Sequence, residues 1–417
     1  MKYLRVFKTD TNYDEYSNSS DWITPNISYT TDPKKTFYNT YETPPPPLYF
    51  EAIETTSIKF SMNNIEYSLD NNTWNTLNAN TQTPTINPNE KIYFRAKNLT
   101  TSSYSGIGRF FCTGKCNIGG NIMSMIYGDE YIGKTTLIQN YVFSNLFGYN
   151  SNIVNANKLI LQATILSEYC YESMFYNCIS LITPPKLIAT TLANGCYQNM
   201  FTSCRALTIA PELPATNLAF QCYNGMFYGC TSLTKAPSLL ATTLVEKCYR
   251  LMFYGCTSFT TTPNLQATTL AENCYEGMFQ NCTSLTTASE LPATTLAKSC
   301  YNYMFANCTS LTTPLELPAM TLANFCYDAM FSGCTSLATT PTLKAITLTN
   351  GCYRNMFNGC SNLSSISMLA TDISASNCLR NWVSGVAPSG TFTKKASMTS
   401  LPSGNDGIPT NWTVVDV

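Results

Sequence analysis

Histidine is missing from all 417 residues. Its absence removes the commonest general base, the usual imidazole metal ligand and every Ser-His or Cys-His pairing used in nucleophilic catalysis. Charge is sparse too: 12% of residues are Asp, Glu, Lys or Arg, and the formal net charge is −1. Between 170 and 378 eight basic residues stand against nine acidic ones. That balance cannot neutralise a phosphate backbone and argues against nucleic acid as a partner. No apolar run approaches the roughly 20 residues that span a bilayer, so membrane insertion is not expected. Met1-Lys2-Tyr3-Leu4-Arg5-Val6-Phe7 lacks the apolar core of a signal peptide, and export by the general route is not expected either.

Cysteine, in contrast, is abundant and periodic. One series runs from Cys170 through Cys196 and Cys222 to Cys378 at intervals of 26 residues, and a second, Cys178 to Cys360, follows it eight residues later; together they hold seventeen of the 19 cysteines. A fixed period of this length marks a repeat architecture. Each copy reads Cys-Tyr-x-x-Met-Phe-x-x-Cys-x-x-Leu, then a second Leu, then Ala-Thr-Thr-Leu. Cys196, Met200, Phe201 and Cys204 fall at i, i+4, i+5 and i+8, which predicts one face of a one- to two-turn helix. The Thr-rich stretch through Leu207, Leu213 and Leu218 predicts a short strand, ended by a proline at Pro185, Pro211, Pro237, Pro263 and Pro341. Pairs such as Gln198-Asn199, Asn224-Gly225 and Arg250-Leu251 vary from copy to copy and are expected to face solvent.

At these residues the chain resembles the BspA-like, Treponema-type leucine-rich repeats, over about 170–383. The resemblance implies a leucine-rich-repeat-like α/β solenoid of 26-residue repeats, with short parallel strands and short helices. The expected order is a polar anchoring module at 1–43, a polyproline linker at 44–47, a small β-sandwich at 48–118, a cap at 119–169, the solenoid at 170–383 and a closing β-hairpin at 384–417. Val142-Phe143-Ser144-Asn145-Leu146-Phe147 repeats the motif without cysteine and with two extra residues, as a capping unit would. Trp382, in the truncated last copy, is expected to plug the other end. The stretches 22–29, 67–74 and 407–414 resemble modules of Bacteroides phage tail and fibre proteins.

Cysteines eight apart on a helix would be separated by about 12 Å, too far for a bridge, and a nine-member column cannot pair completely. The column thiols are therefore read as buried small apolar residues, ahead of inter-coil disulfides or metal sites, which gather four ligands at shorter spacing. Cys112-x-x-x-Cys116, outside the columns, has the spacing of a disulfide or metal half-site and is read as sandwich packing or a local bridge. Gly128-Asp129-Glu130-Tyr131-Ile132-Gly133-Lys134-Thr135 matches the Walker A string, but two carboxylates lie inside the loop and no mononucleotide-binding pattern surrounds it. It is read as a turn into the cap.

No catalytic, cofactor or metal site is assigned. The repeat tyrosines, Tyr197 and Tyr223 among them, are expected in the core, and Tyr176, Tyr228, Tyr254 and Tyr303, in variable slots, are the candidate surface contacts. These features together imply a non-enzymatic binding protein, a virion fibre or tail-associated component that contacts a protein or glycan of the bacterial surface. Residues 1–43 would meet other virion proteins, and copies of the chain would be free to associate. The alternatives are a BspA-like adhesin on the bacterial cell surface, a structural spacer or decoration protein of a virion, and a P-loop nucleotide hydrolase using Gly128–Thr135.

Overall fold

Short alternating strands come first among the described residues. The computed structural model describes residues 44–97, 107–313 and 315–417, so the expected anchoring module at 1–43 lies outside the described residues. Pro47, last of the proline run, already bridges Asn121. The strands that follow are β1 (Leu48–Ala52), β2 (Ile58–Phe60), β3 (Ile65–Ser68), β4 (Asn75–Leu77), β5 (Lys91–Ala96), β6 (Phe110–Cys112) and β7 (Cys116–Asn121). In β5 the inward residues Ile92, Phe94 and Ala96 alternate with half-exposed ones, the period-two pattern of a sheet with one buried face. The β3–β4 hairpin turns on Asp70, whose carboxylate accepts from Ser68 Oγ and from the Asn72 and Thr73 amides; these bonds hold its pKa well below the usual range.

Two sheets close over one another. The larger has the order β4-β3-β5-β1-β7 and is completed by a further strand, β8 (Ile153–Ile160), beside β7, and the smaller is the β2–β6 pair. Between them pack the rings of Phe50, Phe60, Phe94 and Phe110, at centroid distances of 4.5–5.5 Å. Strand β8 pairs parallel with β7, so the sheet continues past residue 118 into the first coil, by way of helix α1 (Ser124–Tyr127) and a 3-10 turn at Gly128–Tyr131.

The expected helix in each repeat is absent; the Cys-Tyr-x-x-Met-Phe-x-x-Cys run is a ribbon of overlapping turns. Alternate amides close i to i−3 turns, as in Cys222→Ala219, Asn224→Gln221 and Met226→Tyr223, while those between them reach the next coil, as in Tyr223→Cys248, Gly225→Arg250 and Phe227→Met252. Every fourth residue has positive φ, for instance Gln221 (54°), Gly225 (61°) and Gly229 (68°), as the third residue of a type II turn requires. A four-residue turn period puts Cys, Met and Cys at i, i+4 and i+8 just as a helix would, so spacing alone could not separate the two.

Opposite the ribbon, each coil touches the next by parallel bridges at the 26-residue offset: Ile209↔Lys235, Leu239↔Leu265, Thr243↔Thr269, Thr261↔Thr287. Towards the C-terminus these bridges grow into a four-stranded parallel sheet of β9 (Thr339–Leu343), β10 (Ser365–Met368), β11 (Thr391–Lys394) and β12 (Thr413–Asp416). This corrects the closing hairpin expected at 384–417: β11 and β12 run parallel in register from Thr391↔Thr413 to Lys394↔Asp416. Parallel neighbours need a crossover rather than a tight turn, and the Ser403–Gly407 loop lies within that crossover.

Inside the coils, identical side chains form columns. Tyr171 to Tyr353 stack ring on ring at 5.7–6.1 Å, and Phe175 to Phe357 at 5.4–5.8 Å. These rings, the methionines and both cysteine columns are buried throughout, each large side chain contributing about 1.5–3 kcal/mol. At the start, Phe143 and Phe147 continue the two columns, and Phe147 meets Phe110 of the sandwich at 6.0 Å. At the end one indole covers both: Trp382 lies 6.4 Å from Tyr353 and 6.1 Å from Phe357, fully buried.

Candidate functional site

The ribbon determines where the candidate tyrosines stand. Tyr228 and Tyr254 occupy one column in successive coils, and their half-exposed rings stack at 4.3 Å and 5°. Tyr176 lies two coils before Tyr228, beyond Thr202, and pairs with Tyr149 at 5.1 Å. Sequence reading missed Tyr149, although the cap's two extra residues place it beside Asn177, in the coil that carries Tyr176. Tyr303 does not join them. It occupies a positive-φ position (φ 55°), is 37% exposed, and has Gly277 and Ala329 as column neighbours. The repeat tyrosines lie in the core, where burial pushes hydroxyls such as Tyr249 well up.

Side chains at positive-φ positions lean over the equivalent residue of the next coil. Tyr169 stacks on Tyr141 at 4.8 Å and covers Gly195; Phe325 covers Gly351, and Leu251 covers Gly277, where an added Cβ would meet Leu251 Cδ2 at 2.6 Å. At Gly195, Gly277 and Gly351 the overlying side chain lies where a Cβ would be, so glycine fits these three positions by packing as well as by φ.

Threonine lines the other exposed flank. Its hydroxyls bond along the stack, Thr286 Oγ1 donating to Thr260 O at 3.1 Å and Thr234 Oγ1 to Thr208 O at 3.2 Å. Charges are matched coil to coil: Arg250 with Glu276, Lys298 with Glu272, Arg354 with Asp328. Beside the sandwich, Ser61, Met62, Gly108, Arg109, Phe111, Ser144 and Asn145 line a shallow hollow of about 250 Å³.

Each thiol of the second cysteine column donates to a phenylalanine carbonyl of the preceding coil: Cys204 to Phe175, Cys230 to Phe201, Cys256 to Phe227, at 3.1–3.2 Å. Every cysteine is free, and burial pushes the Cys230, Cys274 and Cys282 thiols up to about 12, far from the thiolate that metals and electrophiles require. Among the described residues no three Cys, Asp or Glu side chains converge as metal ligands.

The Walker A string begins as the 3-10 turn at Gly128–Tyr131, follows a helix rather than a strand, and leads to Thr136, which bridges Ile165. Asp129 pairs with Arg95, and the Lys134 ammonium lies 5.1 Å from the Tyr127 ring. The strand–loop–helix arrangement that aims amides at a phosphate is not formed. No protein-family model matches the chain, and no curated protein matches it.

Proposed function

We propose that this chain is a non-enzymatic binding protein, a fibre or tail-associated component of a virion, whose leucine-rich-repeat solenoid of BspA-like type contacts a protein or glycan of the bacterial surface. The observation that carries the reading is the separation within each coil between an inward set that scarcely changes and an outward set that does. Phe-carbonyl, thiol, Tyr and Met positions repeat from coil to coil, whereas the ribbon's outer residues differ and include the Tyr149–Tyr176 and Tyr228–Tyr254 pairs. Paired aromatic rings on the ribbon's outer face suit a polyhydroxylated ligand, whose apolar sugar faces stack on the rings.

The test is saturable binding of the labelled full chain to a panel of Bacteroides strains, with Tyr228→Ala/Tyr254→Ala as the probe. The expected result is binding to some strains, weakened at least tenfold by the double substitution. Absence of saturable binding on every strain, together with detection of the chain in purified virions, would leave the spacer reading in its place.

A further inference from the structure

We propose that Cys112 and Cys116 are the site of a reversible disulfide joining the two sheets of the N-terminal sandwich. They are the two cysteines outside the repeat columns, and their surroundings differ. Where a second-column thiol donates to a backbone carbonyl, Cys116 Sγ donates to Cys112 Sγ, 3.1 Å away. A bond of about 2.05 Å needs the sulfurs to close by roughly 1 Å. Cys112 ends β6 in the small sheet and Cys116 opens β7 in the large one, so the bond would cross the sandwich at its corner.

The connecting residues 113–115 hold the pair in place. The Thr113 amide donates to Ser57 O at 3.1 Å and the Gly114 amide to Thr56 Oγ1 at 2.9 Å. The buried Asn150 side-chain amide donates to Cys112 Sγ at 3.2 Å and fixes the position of that sulfur. Cys112 is also the more accessible, 9% exposed against 0% for Cys116, and it is the sulfur that reacts first.

The oxidant is a small-molecule disulfide. The Cys112 thiolate attacks one of its sulfurs and expels a thiolate, leaving a mixed disulfide. Deprotonated Cys116 then attacks Cys112 Sγ and expels the second thiolate. One sulfur–sulfur bond forms in the protein and one breaks in the oxidant. Two electrons pass to the oxidant, and the protons of both cysteines end on its two thiol products.

The experiment equilibrates the reduced full chain in glutathione buffers of increasing oxidised fraction, quenches with acid, alkylates free thiols after unfolding, and digests with trypsin. Cleavage after Lys115 separates the two cysteines, so 110–115 and 116–134 stay together only through the bond. The expected result is this linked pair, reversed by dithiothreitol, under conditions where the column cysteines are recovered alkylated. Cys116→Ser should accumulate glutathione on Cys112, and Cys112→Ser should take up none. Recovery of both cysteines alkylated where an unfolded control is fully oxidised would overturn the proposal, as would column thiols oxidising alongside them.

Discussion

Asp328 and Arg354 stand 26 residues apart in sequence and one coil apart in space, with the Nε and Nη2 donors of the guanidinium both on carboxylate oxygen Oδ2, the former at 3.1 Å. The Asp328 side chain is 1% exposed and Arg354 lies over the Phe325 ring. The pair joins two coils through a carboxyl that has given up almost all its water.

Burial, partly offset by Arg354, holds the Asp328 carboxyl above its ordinary pKa. Such a group contributes stability that is fully present below its unfolded pKa and is lost as pH rises through its folded one. Asp328→Asn removes that contribution, so the wild type should gain stability relative to the variant as pH falls from neutrality into the carboxylate range. Urea unfolding of both at several pH values measures the difference; a constant difference contradicts it. Arg354→Ala, which leaves the carboxylate without a partner, should cost about 3–5 kcal/mol near neutrality.

Leu239→Asp should split the stack, because Leu239 is 4% exposed and bridges Leu265; an unpartnered buried charge costs several kcal/mol. Gly225 looks interchangeable in the repeat alignment, yet it has φ 61° and sits under Asn199 Oδ1. Gly225→Asp should therefore cost about 1–2 kcal/mol, the flexible Asn199 side chain moving aside. Thermal melts that rank the two equally would contradict both placements.

Ala329 is buried with φ 53°. Ala329→Gly relieves a conformation worth about 1–2 kcal/mol of strain at a smaller entropic cost of about 0.5–1 kcal/mol. A net gain of at most about 1.5 kcal/mol in chemical denaturation is expected, and a loss would show that the methyl's packing outweighs the strain.

The seventeen column thiols should resist labelling in the reduced native protein and label fully on unfolding, since burial and raised pKa both suppress the thiolate. Mass spectrometry after a timed iodoacetamide pulse reads this directly. Rapid native labelling along the columns would contradict the packing described.

Trp382→Ala should cost about 3–5 kcal/mol, because it uncovers both aromatic columns and removes the 2.9 Å bond from its indole N–H to Gly407 O. Hydrogen exchange should show amides of residues 352–360 losing protection first, with the middle coils less affected.

The 26-residue unit, its buried columns, the cysteine-free cap and the role of Trp382 could be read from the repeats because those positions recur eight times with one chemistry. The ribbon was misread as helix because a four-residue turn and a 3.6-residue helix share their first contacts. The distinguishing signal was present in Asn273-Gly277-Asn281, Gly351-Asn355-Gly359 and Asn377-Asn381-Gly385, where residues tolerant of positive φ recur every fourth position. They resembled free surface positions because larger residues substitute for them in other coils. The Ser403–Gly407 loop suggested a hairpin because turn residues report a reversal and not which strands it serves. Of the four candidate tyrosines, the stacking of Tyr228 on Tyr254 follows from the period, whereas the pairing of Tyr176 with Tyr149 depends on an irregular coil.

At its last coil the ribbon is met by a side chain. The amide of Asn381, which in earlier coils would reach a carbonyl 25 residues on, takes the carboxylate of Asp406 at 2.6 Å instead, while Phe143 and Phe147 begin the stack at the opposite end. Neither terminus recognises how many coils lie between. Loss or gain of one whole 26-residue unit leaves the ribbon's backbone amides facing equivalent carbonyls, so the reach of the molecule can change by discrete steps without redesign of either end.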